Sequence, residues 1–301
     1  STLLASSAAS DVYKRQGQND MKKKLVALLL VSAMTAAMVV GCGSGEEKKT
    51  EETKTEETAE KKELADDEYQ YVSAEDTVKA KDVHILDVRE WEKYVAGRVA
   101  NSEWCPIFPL EDTSLEEATV EYAKANLNDG KDIYIVCNSG KRGAEKTTGI
   151  LREVGIEPTS IYTVEGGAEA LSKVDGALTT NRADEAIEWQ YVSGKDAVEA
   201  GKSGEAQIVD VRDDETYKAG HLADSQQVNL KEIESADAQT AMFELAGKLD
   251  KEKPVYFLCY SGNKCAKTGI SVLKDAGFDL SNLYIIENGA KDGDVSAAFE
   301  K

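Results

Sequence analysis

Short apolar runs alternate along this chain with stretches in which apolar residues return every three or four positions. Val83–Val88, Ile133–Val136 and Ile161–Val164 are runs of the first kind and predict buried strands. Between them, Leu115, Ala118, Val120, Tyr122, Ala123 and Leu127 mark roughly one face of an amphipathic helix over 115–127. A second helix is predicted over 143–154, closed by Gly155 as its C′ glycine. Ser73-Ala74-Glu75-Asp76 and Ser193-Gly194-Lys195-Asp196 have the form of capping boxes and predict two helix starts. Strands alternating with helices imply an α/β fold with a mainly parallel sheet flanked by helices.

The pattern occurs twice. Tyr69-Gln70-Tyr71-Val72-Ser73 returns as Trp189-Gln190-Tyr191-Val192-Ser193, and Ile85-Leu86-Asp87-Val88-Arg89 as Ile208-Val209-Asp210-Val211-Arg212. Tyr134-Ile135-Val136-Cys137-Asn138-Ser139-Gly140 returns as Tyr256-Phe257-Leu258-Cys259-Tyr260-Ser261-Gly262. Ile161 to Ala168 returns as Leu283 to Ala290. The order is kept at an offset of about 120 residues, the size of a small domain rather than of a solenoid unit. Tandem domains are therefore expected at 65–178 and 185–301, joined by the polar stretch Thr179 to Asp184.

The first 64 residues follow other rules. Met21-Lys22-Lys23-Lys24 followed by Leu25 to Val40 has the basic and apolar regions of a signal peptide, 21–41. It ends in Val39-Val40-Gly41-Cys42, which resembles a bacterial lipobox; the alternative is an uncleaved anchor with an incidental cysteine. The lipobox reading makes Cys42 the lipidated first residue and places the protein on the extracytoplasmic face of a bacterial cell membrane. Residues 1–20 precede the basic region and read as a leader foreign to the natural chain. Residues 42–64, almost entirely Glu, Lys and Thr after Gly and Ser, predict a disordered tether. A formal charge of −20 argues against nucleic acid as a partner.

Five cysteines, Cys42, Cys105, Cys137, Cys259 and Cys265, are too few and too scattered for a disulfide scaffold, and no CxxC pair occurs. With only His84 and His221 as histidines, a histidine-rich metal site is excluded, and neither a metal nor another cofactor is expected. Cys105, beside Trp104 and Pro106, reads as buried and inert. Cys137 and Cys259 each end an apolar strand and precede a helix. Sites in such sheets form at the carboxyl ends of strands, and a helix N-terminus there favours an anion, a thiolate included.

Each repeat resembles a rhodanese (sulfurtransferase) domain. Asp87-Val88-Arg89 with Gly97-Arg98-Val99, and Asp210-Val211-Arg212 with Gly220-His221-Leu222, resemble the family's upstream DVR…GHI signature. Cys137-Asn138-Ser139-Gly140-Lys141-Arg142 fits its active-loop pattern C-x-x-G-x-R, and Cys259-Tyr260-Ser261-Gly262-Asn263-Lys264 fits it except at the last position. Glu165-Gly166-Gly167 resembles the terminal Gly-Gly element. Arg98 stands where His is usual, Lys264 where Arg is usual, and Leu171 and Gly293 where a tryptophan is frequent. Many tandem members keep a cysteine in only one domain; this chain keeps both.

The resemblance implies sulfane-sulfur transfer. Cys137 and Cys259 would be nucleophiles and persulfide carriers, cradled by residues 138–142 and 260–264. Arg142 and Lys264 would be the respective cations, inequivalent because Lys is a point charge and Arg a planar fork. A small sulfur donor and a thiol or cyanide acceptor are the implied partners. The loops are one residue shorter than those of related phosphatases, which favours sulfur over phosphate. A non-catalytic binding or sulfur-sensing module is the alternative. Asp87, Arg89, Asp210 and Arg212 read as structural ion pairs, and His221 as a packing or hydrogen-bonding residue near the loop. Cys265 has two readings: a resolving thiol for a Cys259 persulfide, or a helix-start thiol facing the core.

Overall fold

The computed structural model describes Ala65 and residues 68–301. The expected leader, signal peptide, Cys42 and tether, residues 1–64, all lie outside the described residues. Among the described residues no helix is long and apolar enough to cross a membrane.

Each repeat forms a five-stranded sheet. In the first the strands are β1 Gln70–Val72, β2 His84–Asp87, β3 Glu103–Trp104, β4 Ile133–Val136 and β5 Ile161–Val164, in the order β1-β5-β4-β2-β3. In the second, β6 Gln190–Val192, β7 Gln207–Asp210, β8 Gln226–Gln227, β9 Val255–Leu258 and β10 Leu283–Ile286 repeat it as β6-β10-β9-β7-β8. All pairings between these strands are parallel. The central strands are short apolar runs because helices cover both faces of the sheet. In β4, β5, β9 and β10 the one half-buried position is a tyrosine: Tyr134 lies in register with Tyr162 and Tyr256 with Tyr284, each pair edge-on at 5.4 and 5.3 Å.

The helices of the first domain are α1 Ala74–Lys79, α2 Trp91–Val95, α3 Thr113–Asn126, α4 Arg142–Glu153 and α5 Gly167–Leu171. Those of the second are α6 Gly194–Ser203, α7 Asp214–Ala219, α8 Ala236–Ala246, α9 Lys264–Asp275 and α10 Gly293–Ala297. Both helix starts are capped by their serines: Ser73 Oγ accepts the Asp76 N–H and Ser193 Oγ that of Asp196, while each aspartate carboxylate accepts the serine hydroxyl and not the serine N–H. In domain 1, α3 and α4 cover one face of the sheet and α1 and α5 the other, with separate apolar clusters beneath each pair.

The domains are joined by more than the linker. Trp91, Tyr94 and Trp104 of the first belong to the main core of the second. Trp91 stacks on Phe243 of α8 with ring centroids 4.1 Å apart and donates its indole N–H to Thr240 Oγ1. Within the stretch expected as a polar connector, Arg182 and Ala183 are buried while Asp184 stays exposed. Arg182, fully enclosed, donates to Gln239 Oε1 at 2.8 Å, Ser271 Oγ at 3.0 Å and Asp275 Oδ2 at 2.6 Å. Glu185 accepts from Arg98 of domain 1 and from Ser271 and Lys274 of domain 2. Arg98, at the position where the family usually has His, thus serves the seam between domains.

Candidate active site

Strand β4 ends at Val136 and places Cys137 at the carboxyl edge of the sheet, 2% exposed. The chain then turns through Asn138, Ser139 and Gly140 and enters α4 at Arg142. The turn folds back on the thiol: Lys141 N–H donates to Cys137 Sγ at 3.3 Å. In the second domain Asn263 N–H donates to Cys259 Sγ at 3.1 Å, with Cys259 again 2% exposed. A buried sulfur holding a backbone donor at the start of a 12-residue helix sits in favourable potential for negative charge.

Gly140 and Gly262 both adopt φ +67°, and a Cβ on Gly140 would lie 2.7 Å from the Val164 carbonyl oxygen. That position therefore needs glycine on both conformational and steric grounds. The Gly-Gly element supplies the floor. Ala168 N–H donates to Cys137 O at 2.8 Å and Glu169 N–H to Asn138 O at 3.1 Å. Ala290 N–H does the same for Cys259 O at 2.8 Å. Gly167 and Gly289 let these backbones meet, since a side chain at either would collide with the cysteine carbonyl.

The Asp-Val-Arg signature is a brace, as expected. Arg89 grips buried Asp87 with two nitrogens, Nε to Oδ1 at 2.9 Å and Nη2 to Oδ2 at 2.6 Å, and reaches Gly97 O. Arg212 holds Asp210 and Gly220 O in the same way. His221 stacks on Tyr217 and bonds its carbonyl oxygen, while its backbone pairs with Glu300. Cys105 is fully buried and donates to Thr119 Oγ1.

The proposed cations are exposed. Lys141, Arg142 and Lys264 make no side-chain hydrogen bond or ion pair among the described residues, so their charge is available at the loop mouths. The surroundings differ between the two sites. A cavity of about 380 Å³ adjoins the first loop at Asn138, with Arg89, Lys93, Glu169 and Ser172 on its walls. At the second loop the side chain of Tyr260 is tied down: its hydroxyl donates to Asp213 Oδ2 at 2.7 Å and accepts the Asp213 N–H at 2.8 Å. Hydrogen bonds from Tyr260, Thr216 and Lys231 hold the Asp213 carboxyl well below the usual range. Burial and the Asp213 contact push the Tyr260 phenol up. Beside them opens an acidic cavity of about 550 Å³ walled by Asp213, Asp214, Glu215 and Glu232.

Cys265 is half-buried in the main core of domain 2. Burial, and then the neighbouring Cys259, push its thiol up to about 11. Among the described residues no cluster of three or more His, Cys, Asp or Glu side chains is arranged to hold a metal ion.

The model of the rhodanese-like domain family matches residues 71–173 and 193–293. Thiosulfate sulfurtransferase GlpE of Pseudomonas savastanoi pv. phaseolicola is 33% identical over 84 residues, 28% of this chain and 68% of that protein. Among solved structures, a thiosulfate sulfurtransferase from Pseudomonas aeruginosa aligns over 77% of this chain at 15% identity, TM-score 0.35. This chain spans 43% of that protein's length. The 3-mercaptopyruvate sulfotransferase SseA from Escherichia coli aligns over 71% of this chain and 96% of its own at 17% identity, TM-score 0.29.

Proposed function

Because this chain belongs to the rhodanese-like family, with both of its domains matched, we propose that it is a membrane-tethered sulfurtransferase working through cysteine persulfides. The observation that carries this reading is the paired loop geometry. Two thiols, each accepting one backbone N–H from four residues on, stand at the carboxyl ends of equivalent strands.

In the first half-reaction the Cys137 thiolate attacks the outer sulfur of a donor such as thiosulfate. The donor's S–S bond breaks, sulfite leaves with the electron pair, and Cys137 holds a persulfide. In the second, cyanide or a thiol attacks the terminal sulfur and the Cys137 thiolate leaves. The negative terminal sulfur needs what an oxyanion needs, fixed donors aimed at developing charge. The loop 138–142 would supply them, with Arg142 as a cation free to face the mouth. Cys259 with residues 260–264 is the second carrier, and Lys264 in the cationic role makes it the less conventional one.

Sulfur transfer from thiosulfate to cyanide, measured with Cys137→Ser and Cys259→Ser made separately, tests this. Loss with one change identifies the working domain, partial loss with each assigns transfer to both, and activity that survives the double variant Cys137→Ser/Cys259→Ser overturns the reading. The membrane attachment rests on the Val39-Val40-Gly41-Cys42 motif alone. Cys42→Ala is expected to release the protein from membranes; retention after clean signal cleavage overturns the lipid anchor.

A further inference from the structure

The two loops differ at one packing position, and the difference brings a second thiol beside Cys259. At the start of α4, Gly143 lies against the nucleophile: a Cβ there would stand 3.2 Å from the Cys137 Cβ and 2.6 Å from the Phe108 ring. Phe108 fills the space that a side chain at 143 would take. The same position in domain 2 is Cys265.

The counterpart of Phe108 is Lys231. Ile107 N–H bonds Val88 O and Leu230 N–H bonds Val211 O, which aligns the residues that follow them. Lys231 turns its amine out to Asp213, 3.0 Å away, and leaves the space beside α9 to Cys265. The backbones entering the two helices match, with φ −130°, ψ −126° at Lys141 and φ −142°, ψ −127° at Asn263. The Cys265 Cβ therefore occupies the place of the absent one on Gly143. That is close to the ~3.5–4.5 Å Cβ separation a disulfide spans. Cys259 and Cys265 also pack against the same apolar cluster.

We infer that domain 2 resolves its own persulfide: Cys265 attacks the inner sulfur carried on Cys259, giving a Cys259–Cys265 disulfide and free sulfide. The inference rests on the transfer reading above for the loading of Cys259. The new bond joins the two Sγ atoms, the persulfide S–S bond breaks, and the terminal sulfur departs with its electron pair. The thiol proton of Cys265 goes to the departing sulfur, so persulfide anion and thiol become disulfide and HS⁻. Cys265 yields its proton to the terminal sulfur and attacks as the thiolate, so the sulfur departs as HS⁻ and not as the far poorer leaving group S²⁻. An external dithiol then returns the pair to the reduced state. Domain 1, with Gly143 in this position, has no such route, and its persulfide awaits an outside acceptor. Domain 2 would thus release sulfide where domain 1 passes sulfur on.

The test uses the full chain with Cys137→Ser, reduced and then freed of reductant, mixed with thiosulfate. Sulfite reports loading and sulfide reports resolution. One equivalent of each is expected, with a disulfide joining the two tryptic peptides that cleavage after Lys264 would otherwise separate. Adding Cys265→Gly, which reproduces the Gly143 arrangement, or Cys265→Ser should abolish sulfide release and leave the extra sulfur on Cys259. Sulfite without sulfide in the parent, or sulfide undiminished in both variants, overturns the inference while leaving the transfer reading intact. Absence of sulfite is instead a failure of transfer in domain 2. Oxidised dithiothreitol then decides the pairing: a 259–265 cross-link supports it and none overturns it.

Discussion

Gly140 shows how few residue types the loop tolerates. Its φ of +67° and the Val164 carbonyl 2.7 Å from a Cβ leave no room for alanine. Gly140→Ala is expected to cost about 1–3 kcal/mol and to displace the Lys141 N–H from the sulfur. Sulfur transfer measured in a Cys259→Ser background should fall sharply, while urea unfolding registers only the modest loss. The strand-end cysteine, the loop glycine and the helix start were legible in the chain because they are consecutive and occur twice. The Phe108–Gly143 complementarity was not. It is a contact between segments whose sequences carry no mutual signal, and Gly143 alone reads as an ordinary helix-start residue. Arg98 was legible as a departure from a pattern, but its role depends on Glu185, which lies beyond the whole of domain 1.

At the scale of elements, the central strands lie where the apolar runs put them, and Ile133–Val136 and Ile161–Val164 match residue for residue. Helix ends moved slightly. The helix expected over 143–154 runs Arg142–Glu153, and α3 begins earlier than its apolar face because Asp112 caps it through the Ser114 N–H. The edge strands β3 and β8 escaped notice because Glu103-Trp104 and Gln226-Gln227 form no apolar run. One strand start carries a pH dependence. His84 opens β2 with Nδ1 2.6 Å from Glu103 and Nε2 3.2 Å from Asp129, and these partners, the Glu103 hydrogen bond first, raise its pKa above the ordinary 6.5. A raised pKa means stability that is complete below about 6.5 and is lost as pH rises through the folded value. Urea midpoints should therefore decline over that window, and His84→Gln should flatten the decline.

At the scale of the molecule, the seam between domains is built like a core. Its charged groups are enclosed: burial alone would push the Glu185 carboxyl up, but Lys274, Arg182 and Arg98 pull it down to about 2. The stability this carries is present above the ordinary value of 4.5 and is lost as pH falls toward 2. Asp275→Ala strips buried Arg182 of its carboxylate and should cost about 3–5 kcal/mol by chemical denaturation. Composition marked 179–184 as a linker because polar residues usually signal solvent, and Arg182 meets Asp275 only 93 residues later. The same seam has an optical consequence. Of the three tryptophans, Trp91 and Trp104 are 1% and 3% exposed within it, and Trp91 lies under the Arg182 guanidinium at 5.5 Å. Intrinsic emission from this protein is therefore weighted toward the domain boundary, and a red shift reports the two halves parting even while each sheet stays folded.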